Sequence, residues 1–193
     1  PEVIGTLGRH PSNSNTKIYL VENNDDIKKL EISSPEVAYV TQTTLSVDET
    51  RELINSLKEK FPGIIGPSAD DICYATQNRQ DAVKQLSLEC QIVLVIGSQT
   101  SSNSNRLKEL AEKCGTKSFL IDDKTDIDLN SLKDATSVGI TAGASAPEEI
   151  VQEVISFLVP LGFKTVRNLS ENNENMTFKS VSYTHLRAHE TVE

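Results

Sequence analysis

Three stretches of the chain gather hydroxyl-bearing and small residues immediately before a helical pattern. They are Thr41-Gln42-Thr43-Thr44, Gly97-Ser98-Gln99-Thr100-Ser101-Ser102-Asn103 and Thr141-Ala142-Gly143-Ala144-Ser145. Each follows a short apolar run that reads as a strand. Open parallel sheets bind ligands outside the carboxyl ends of their strands. A helix start adds unpaired N–H groups and the positive end of a dipole, a combination that favours anions. Three such loops around one crevice can hold a diphosphate without a single lysine. Ser and Thr before helices are also common caps. Capping alone accounts for any one of the loops, and the spacing places Ser145 as a cap. Three loops together, one of them Ser-Ser-Asn, point to a ligand. Neither a Walker loop nor a G-x-G-x-x-G fingerprint is present, which disfavours nucleotide binding of those kinds.

Cys73 is the second feature with chemical reach. It lies at the start of a predicted helix, in Asp70-Asp71-Ile72-Cys73-Tyr74-Ala75-Thr76. A thiolate there is stabilised by the helix dipole, which suits a nucleophile or a metal ligand. Most free cysteines are instead small buried hydrophobes. One cysteine cannot hold an iron–sulfur cluster, which needs several thiolates. Cys90 lies at a strand edge and Cys114 ends a helix. Their wide spacing resembles no zinc motif, and both read as structural. Glu2 and Glu36 are carboxylates without a visible partner.

The elements that must position these groups alternate. Strands are predicted at Lys17–Val21, Val37–Thr41, Ile92–Ile96, Ser118–Ile121 and Val138–Thr141. The run at Ile92–Ile96 is continuous and rich in Val, Ile and Leu, as in a strand buried on both faces of a parallel sheet. Helices are predicted at Asn24–Leu30, from Ser46 to about Lys60, from Tyr74 to Leu88, at Asn105–Lys113 and from Ser145 to Leu158. One helical turn is expected at Leu129–Leu132. Ser46 and Glu49 form one capping box, and Ser145 and Glu148 form a second. The alternation predicts an α/β fold of repeated small parallel-sheet domains. One unit covers residues 1–66 and a second covers 67–163, with a hinge near residues 66–70. Residues 164–193 form a tail with one late strand at Met176–Val181. Its last part, Ser182–Glu193, has no clear period and holds two of the chain's three His.

Composition narrows the classes. The chain has 193 residues and a net charge of −9, with 37% apolar and 5% aromatic residues and no Trp. The acidic balance argues against broad nucleic-acid binding, which needs a dense basic stripe. The longest apolar run is Ile92–Ile96, far short of the ~20 residues of a membrane span. Three Cys in a chain of this length make no disulfide framework, which suggests a reducing compartment. Pro1 opens the sequence and Met176 is its one Met. The chain is therefore expected to be a fragment.

Taken together the motifs resemble one family. Thr41-Gln-Thr-Thr-Leu-Ser-Val-Asp48, Asp70-Asp-Ile-Cys-Tyr-Ala-Thr76, Asn78-Arg-Gln80, Gly97-Ser98, Ser101-Ser-Asn-Ser-Asn-Arg-Leu107, Phe119-Leu-Ile-Asp-Asp123 and Thr141-Ala-Gly-Ala-Ser-Ala-Pro147 are collinear with 4-hydroxy-3-methylbut-2-enyl diphosphate reductase. The resemblance runs over about residues 1–163. It implies three α/β domains around a [4Fe–4S] cluster, two of them present here. It implies reductive removal of a hydroxyl from an allylic diphosphate, giving isopentenyl and dimethylallyl diphosphate, with ferredoxin or flavodoxin as donor. By motif, Cys73 is similar to the last of three cluster cysteines. Thr43, Ser101, Ser102, Asn103 and Ser145 are similar to the substrate-holding groups. Glu2 matches the proton-delivering Glu of a His-Pro-Glu motif whose His would precede Pro1. The resemblance also implies a bacterial cytoplasmic or plastid-type location.

The family's first two cluster cysteines have no match among Cys90 and Cys114. The chain alone is therefore expected to be inactive and to lack a leading domain. Ser182–Glu193 departs from the family and reads as foreign sequence. Two other readings stand beside the reductase. One is a non-catalytic diphosphate-binding module. The other is a phosphoester hydrolase with Cys73 as nucleophile, which lacks a supporting His or Arg pattern.

Overall fold

The computed structural model describes residues 2–11, 14–67 and 72–169. Its centre is a three-stranded parallel sheet. Strand β1 is Ile92–Ile96, β2 is Lys117–Ile121 and β3 is Val138–Ala142, in the order β2-β1-β3. The register pairs Ile92 with Lys117 on one side and with Val138 on the other. The middle strand is buried along its whole length, as its continuous apolar sequence predicts.

Alternation along β1 divides the core into two layers, since successive side chains point to opposite faces. Ile92, Leu94 and Ile96 pack with Val154 and Leu158 of helix α7 (Glu148–Leu158). Val93 and Val95 pack with Val83 and Leu86 of α4 (Tyr74–Glu89) and with Leu107 and Ala111 of α5 (Ser102–Lys113). Helices thus cover both faces of the sheet. The expected turn at Leu129–Leu132 is present as α6.

The preceding unit is mostly helical. Its helices are α1 (Glu2–Gly8), α2 (Asn24–Lys29) and α3 (Val47–Lys60). The start of α2 is held by an Asn23 capping box. The Lys60 Nζ donates to the carbonyls of Ile27 and Lys28, each at 2.7 Å, and so closes α2 against the end of α3.

Two predicted strands differ here. Lys17–Val21 has extended sequence character but forms no strand. Ile18, Tyr19 and Leu20 are exposed, and among the described residues no neighbouring strand satisfies their backbone groups. Val37–Thr41 is reduced to one parallel bridge, between Ala38 and Ile65. It is closed by Tyr39 N donating to Ile65 O at 2.9 Å and Ile65 N donating to Val37 O at 2.8 Å. A β-prone run becomes a strand only where a partner supplies the ladder. The hinge near 66–70 lies partly outside the described residues. The late strand and the segment 182–193 lie wholly outside them.

Candidate functional site

The site is built where the sheet's connections diverge. From β1 the chain crosses to β2 on one side, then returns to β3 on the other. The loops after β1 and β3 therefore leave in opposite directions, opening a crevice at the carboxyl ends of neighbouring strands. Gly143 N donates to Ile96 O at 2.8 Å and pins the two loops together at the base of that crevice.

Between β1 and α5 the chain folds into a tight hydroxyl-lined turn. Ser101 N donates to Ser98 O at 2.9 Å, and the Ser98 and Thr100 hydroxyls lie 2.9 Å apart. The Asn105 amide bonds the carbonyls of Gln99 at 2.7 Å and Ser101 at 2.8 Å. Ser101 is the N-cap of α5, its Oγ accepting from Ser104 N. Helix geometry then leaves the Ser102 and Asn103 N–H groups without an intrahelical acceptor.

Asn103 is the unusual member. It is 6% exposed, and neither Nδ2 nor Oδ1 has a hydrogen-bond partner among the described residues. An unpaired amide buried to this degree costs about 1–3 kcal/mol. An acceptor-bearing ligand within reach of Nδ2 removes the donor's share of that cost.

The first loop, which carries Thr43 and Thr44, is drawn in by α4. Gln80, 2% exposed, accepts from Val47 N at 3.0 Å and donates to Leu45 O at 2.8 Å. These bonds hold the start of α3 on α4. Cys73 N donates to Thr43 O at 3.2 Å. The Thr44 and Ser102 hydroxyls lie 3.1 Å apart, joining the first loop to the second. On the next turn Arg79 donates to Ala142 O at 3.2 Å and Ala75 O at 2.9 Å, tying α4 to the end of β3. Thr43, Cys73, Ser101, Ser102 and Asn103 are thus linked through direct bonds or adjacent residues, and the β3 loop carrying Ser145 is clipped to the same edge.

Ser145 departs from its expected role. Helix α7 starts at Glu148 with Pro147 as its N-cap and no side-chain cap bond. Proline disfavours helical geometry at the residue before it, so the helix cannot begin at Ala146. Ser145 is left exposed, with no side-chain bond among the described residues. Ser46 does cap α3, accepting from Glu49 N at 3.5 Å. Glu2 opens α1, and its side chain lies outside the described part of the structure.

Cys73 is exposed at the N-cap of α4 and makes no side-chain cap bond. Cys90 ends the same helix, about 26 Å away at 1.5 Å per residue. Burial pushes its thiol up from the ordinary range. Cys114 is exposed at the far end of α5. Among the described residues no three His, Cys, Asp or Glu come together as a metal site. The three thiols therefore do not make up a cluster's ligand set, which needs several thiolates at one point. Sequence reasoning proposed the hydroxyl groups and Cys73. It missed Gln80 and Arg79, whose role is to dock loops and which carry no motif signal beyond their place in Asn78-Arg79-Gln80.

A separate groove of about 740 Å³ runs along α7, lined by Lys124, Glu148, Glu149, Gln152, Glu153, Ser156, Phe157 and Pro160. Three glutamates against one lysine make it repulsive to a diphosphate. The strand-end crevice, lined by hydroxyls and helix-start N–H groups, suits an anion better.

Comparison with known proteins gives a consistent result. A family model described as LytB protein matches residues 1–159. The 4-hydroxy-3-methylbut-2-enyl diphosphate reductase of Saccharophagus degradans is 54% identical over 179 residues, which are 92% of this chain and 58% of that protein. The reductase of the same name from Psychrobacter arcticus is 53% identical, with 92% of this chain and 56% of that protein covered. A solved structure described as the E-1-hydroxy-2-methyl-but-2-enyl-4-diphosphate reductase from Plasmodium falciparum superposes with a TM-score of 0.80 at 32% identity. That superposition covers 89% of this chain and 54% of the other. The chain thus spans somewhat over half the length of the relatives it matches.

Proposed function

The chain belongs to the LytB protein family, and from that premise we propose that it carries the diphosphate-holding part of a 4-hydroxy-3-methylbut-2-enyl diphosphate reductase. The observation that carries this reading is the buried, unpartnered Asn103 amide at the start of α5. A site that is complete in itself would not retain such a group. Beside it are the Ser102 and Asn103 N–H groups and the hydroxyls of Ser101 and Ser102, and the proposed site also takes in the hydroxyls of Thr43 and Ser145 from the adjoining loops. These donors match the many acceptor oxygens of a diphosphate. With the diphosphate held, the allylic end of the substrate extends along the crevice toward the Cys73 end of α4.

The reaction in this proposal removes the substrate's hydroxyl with two electrons and protons, giving isopentenyl and dimethylallyl diphosphate. Ferredoxin or flavodoxin supplies the electrons, and Glu2 supplies a proton near the leaving oxygen. Cys73 contributes one thiolate to a [4Fe–4S] cluster, which supplies a Lewis-acidic iron and electrons when bound. The residues described here do not complete that group's ligand set. The family resemblance also favours a bacterial cytoplasmic or plastid-type setting. No helix of the described residues is long and apolar enough to cross a membrane.

Calorimetry with isopentenyl diphosphate tests the binding role. The chain is expected to bind, and Ser101→Ala and Asn103→Ala are each expected to weaken binding about tenfold or more. Unchanged affinity in both variants would overturn the assignment of this loop.

A further inference from the structure

Ser104 belongs to none of the groups named so far as substrate-holding, yet the crevice is built around it. It is 1% exposed, in the first turn of α5. Its N–H donates to Ser101 Oγ at 3.3 Å, and its hydroxyl donates to the same Oγ at 3.1 Å. A serine hydroxyl has one proton to donate and two lone pairs to accept with. In Ser101 both lone pairs are engaged by Ser104. The remaining proton has no acceptor inside this pair and is available only as an outward donor.

We propose that Ser104 is a positioning residue that makes Ser101 an obligate hydrogen-bond donor and sets the width of the crevice between the β1 and β3 loops. The first half rests on the reading of the crevice as a diphosphate site. An acceptor-rich ligand needs donors, and a serine whose proton is already committed elsewhere would present it with lone pairs. The second half stands on packing alone. A Cβ at Gly97 or at Gly143 would each lie 2.2 Å from Ser104 Oγ. The hydroxyl therefore fills the gap between the two loops and requires glycine on both sides.

The two glycines differ in a way that makes the proposal testable. At Gly143 the added Cβ would be 3.5 Å from Ser104 Cβ and 3.7 Å from Ile96 O, both ordinary contacts. Only the hydroxyl stands in its way. At Gly97 the added Cβ would be 2.9 Å from Ser104 Cβ as well, and the backbone φ of +156° disfavours any side chain. Removing the hydroxyl should therefore relieve Gly143→Ala and leave Gly97→Ala destabilised.

The experiment uses the 193-residue chain and two measurements. In thermal unfolding, Gly143→Ala and Gly97→Ala are each expected to lower the midpoint by about 3–10 °C. Adding Ser104→Ala should restore most of the loss for Gly143→Ala and little of it for Gly97→Ala. Equal rescue of both, or of neither, overturns the packing role. In calorimetry with inorganic diphosphate, Ser104→Ala is expected to weaken binding about three- to tenfold. In a Ser101→Ala background the same change should cost nothing further, because Ser104 acts through Ser101. An undiminished cost in that background, or full affinity in Ser104→Ala alone, overturns the donor role. No binding by the unaltered chain would overturn the diphosphate reading and the donor role with it, while the unfolding cycle would still decide the packing role.

Discussion

The residue whose chemistry is least satisfied is Asn103. Its amide is enclosed at the start of α5 without a partner among the described residues. Replacing it with an apolar side chain of similar size removes the cost of an unpaired buried amide. Asn103→Leu is therefore expected to leave the unfolding midpoint of the ligand-free chain unchanged or a few degrees higher, while abolishing diphosphate binding. A fall of more than about 5 °C would mean that the amide is satisfied without ligand. The cysteines separate in the same manner. Cys73 and Cys114 are exposed, whereas burial raises the Cys90 thiol and so lowers its thiolate fraction at any given pH. Iodoacetamide at about pH 8 is expected to label Cys73 and Cys114 well before Cys90, read by peptide mass mapping. Cys90 modified first would contradict its assignment as a structural residue. At this scale the hydroxyls before helices were legible, because they stand as local patterns in the sequence. Ser104 was hidden in the same run, because its role depends on Gly97 and Gly143, one of them about forty residues away.

Elements deliver these residues through a few docking bonds. Gln80 holds the 43–47 segment on α4 through two bonds made by one buried amide. Gln80→Ala is expected to cost about 1–3 kcal/mol in urea unfolding and to weaken diphosphate binding by freeing Thr43. A stability loss with unchanged affinity would show that Thr43 does not depend on this anchor. A second link joins the same helices at the surface, with Lys84 Nζ 2.7 Å from Asp48 Oδ2. The bond from Lys84 holds the Asp48 carboxyl below its usual range. Its contribution is therefore present above the unfolded carboxylate value near 3.9 and is lost as pH falls through the lower folded value. The pair is half exposed, so Asp48→Asn is expected to cost no more than about 0.5 kcal/mol at neutral pH. That difference should vanish in strong acid, as read by urea unfolding across pH. Elements with strong periodicity were legible to within a residue or so, as with β1 and the end of α7. Lys17–Val21 was not, since its sequence is β-prone but strand formation depends on a neighbour that no local pattern encodes. The start of α7 was misplaced because Ser145 and Glu148 have capping-box spacing while Pro147 sets the backbone.

At the scale of the whole molecule, a net charge of −9 is compatible with the proposed anion site because that site would use N–H and hydroxyl donors at strand ends. The order β2-β1-β3 is what creates the crevice; the βαβ alternation in the sequence was enough to expect the parallel sheet but not that order. The chain's thiols, by contrast, sit at the two opposite ends of α4 and at the far end of α5. Anaerobic iron–sulfur reconstitution of this chain alone is expected to give no stoichiometric [4Fe–4S] absorbance, and a stable band at one cluster per chain would contradict that ligand count. The central claim, that the strand-end crevice holds the diphosphate, is tested most directly by titrating inorganic diphosphate into 15N-labelled chain and following backbone amide shifts. The account expects the largest shifts at Ser102, Asn103, Gly143, Ala144 and Ser145, with smaller ones at Thr43 and Thr44. Shifts confined to the α7 groove around Lys124 and Glu148, or spread evenly without saturation, would contradict it.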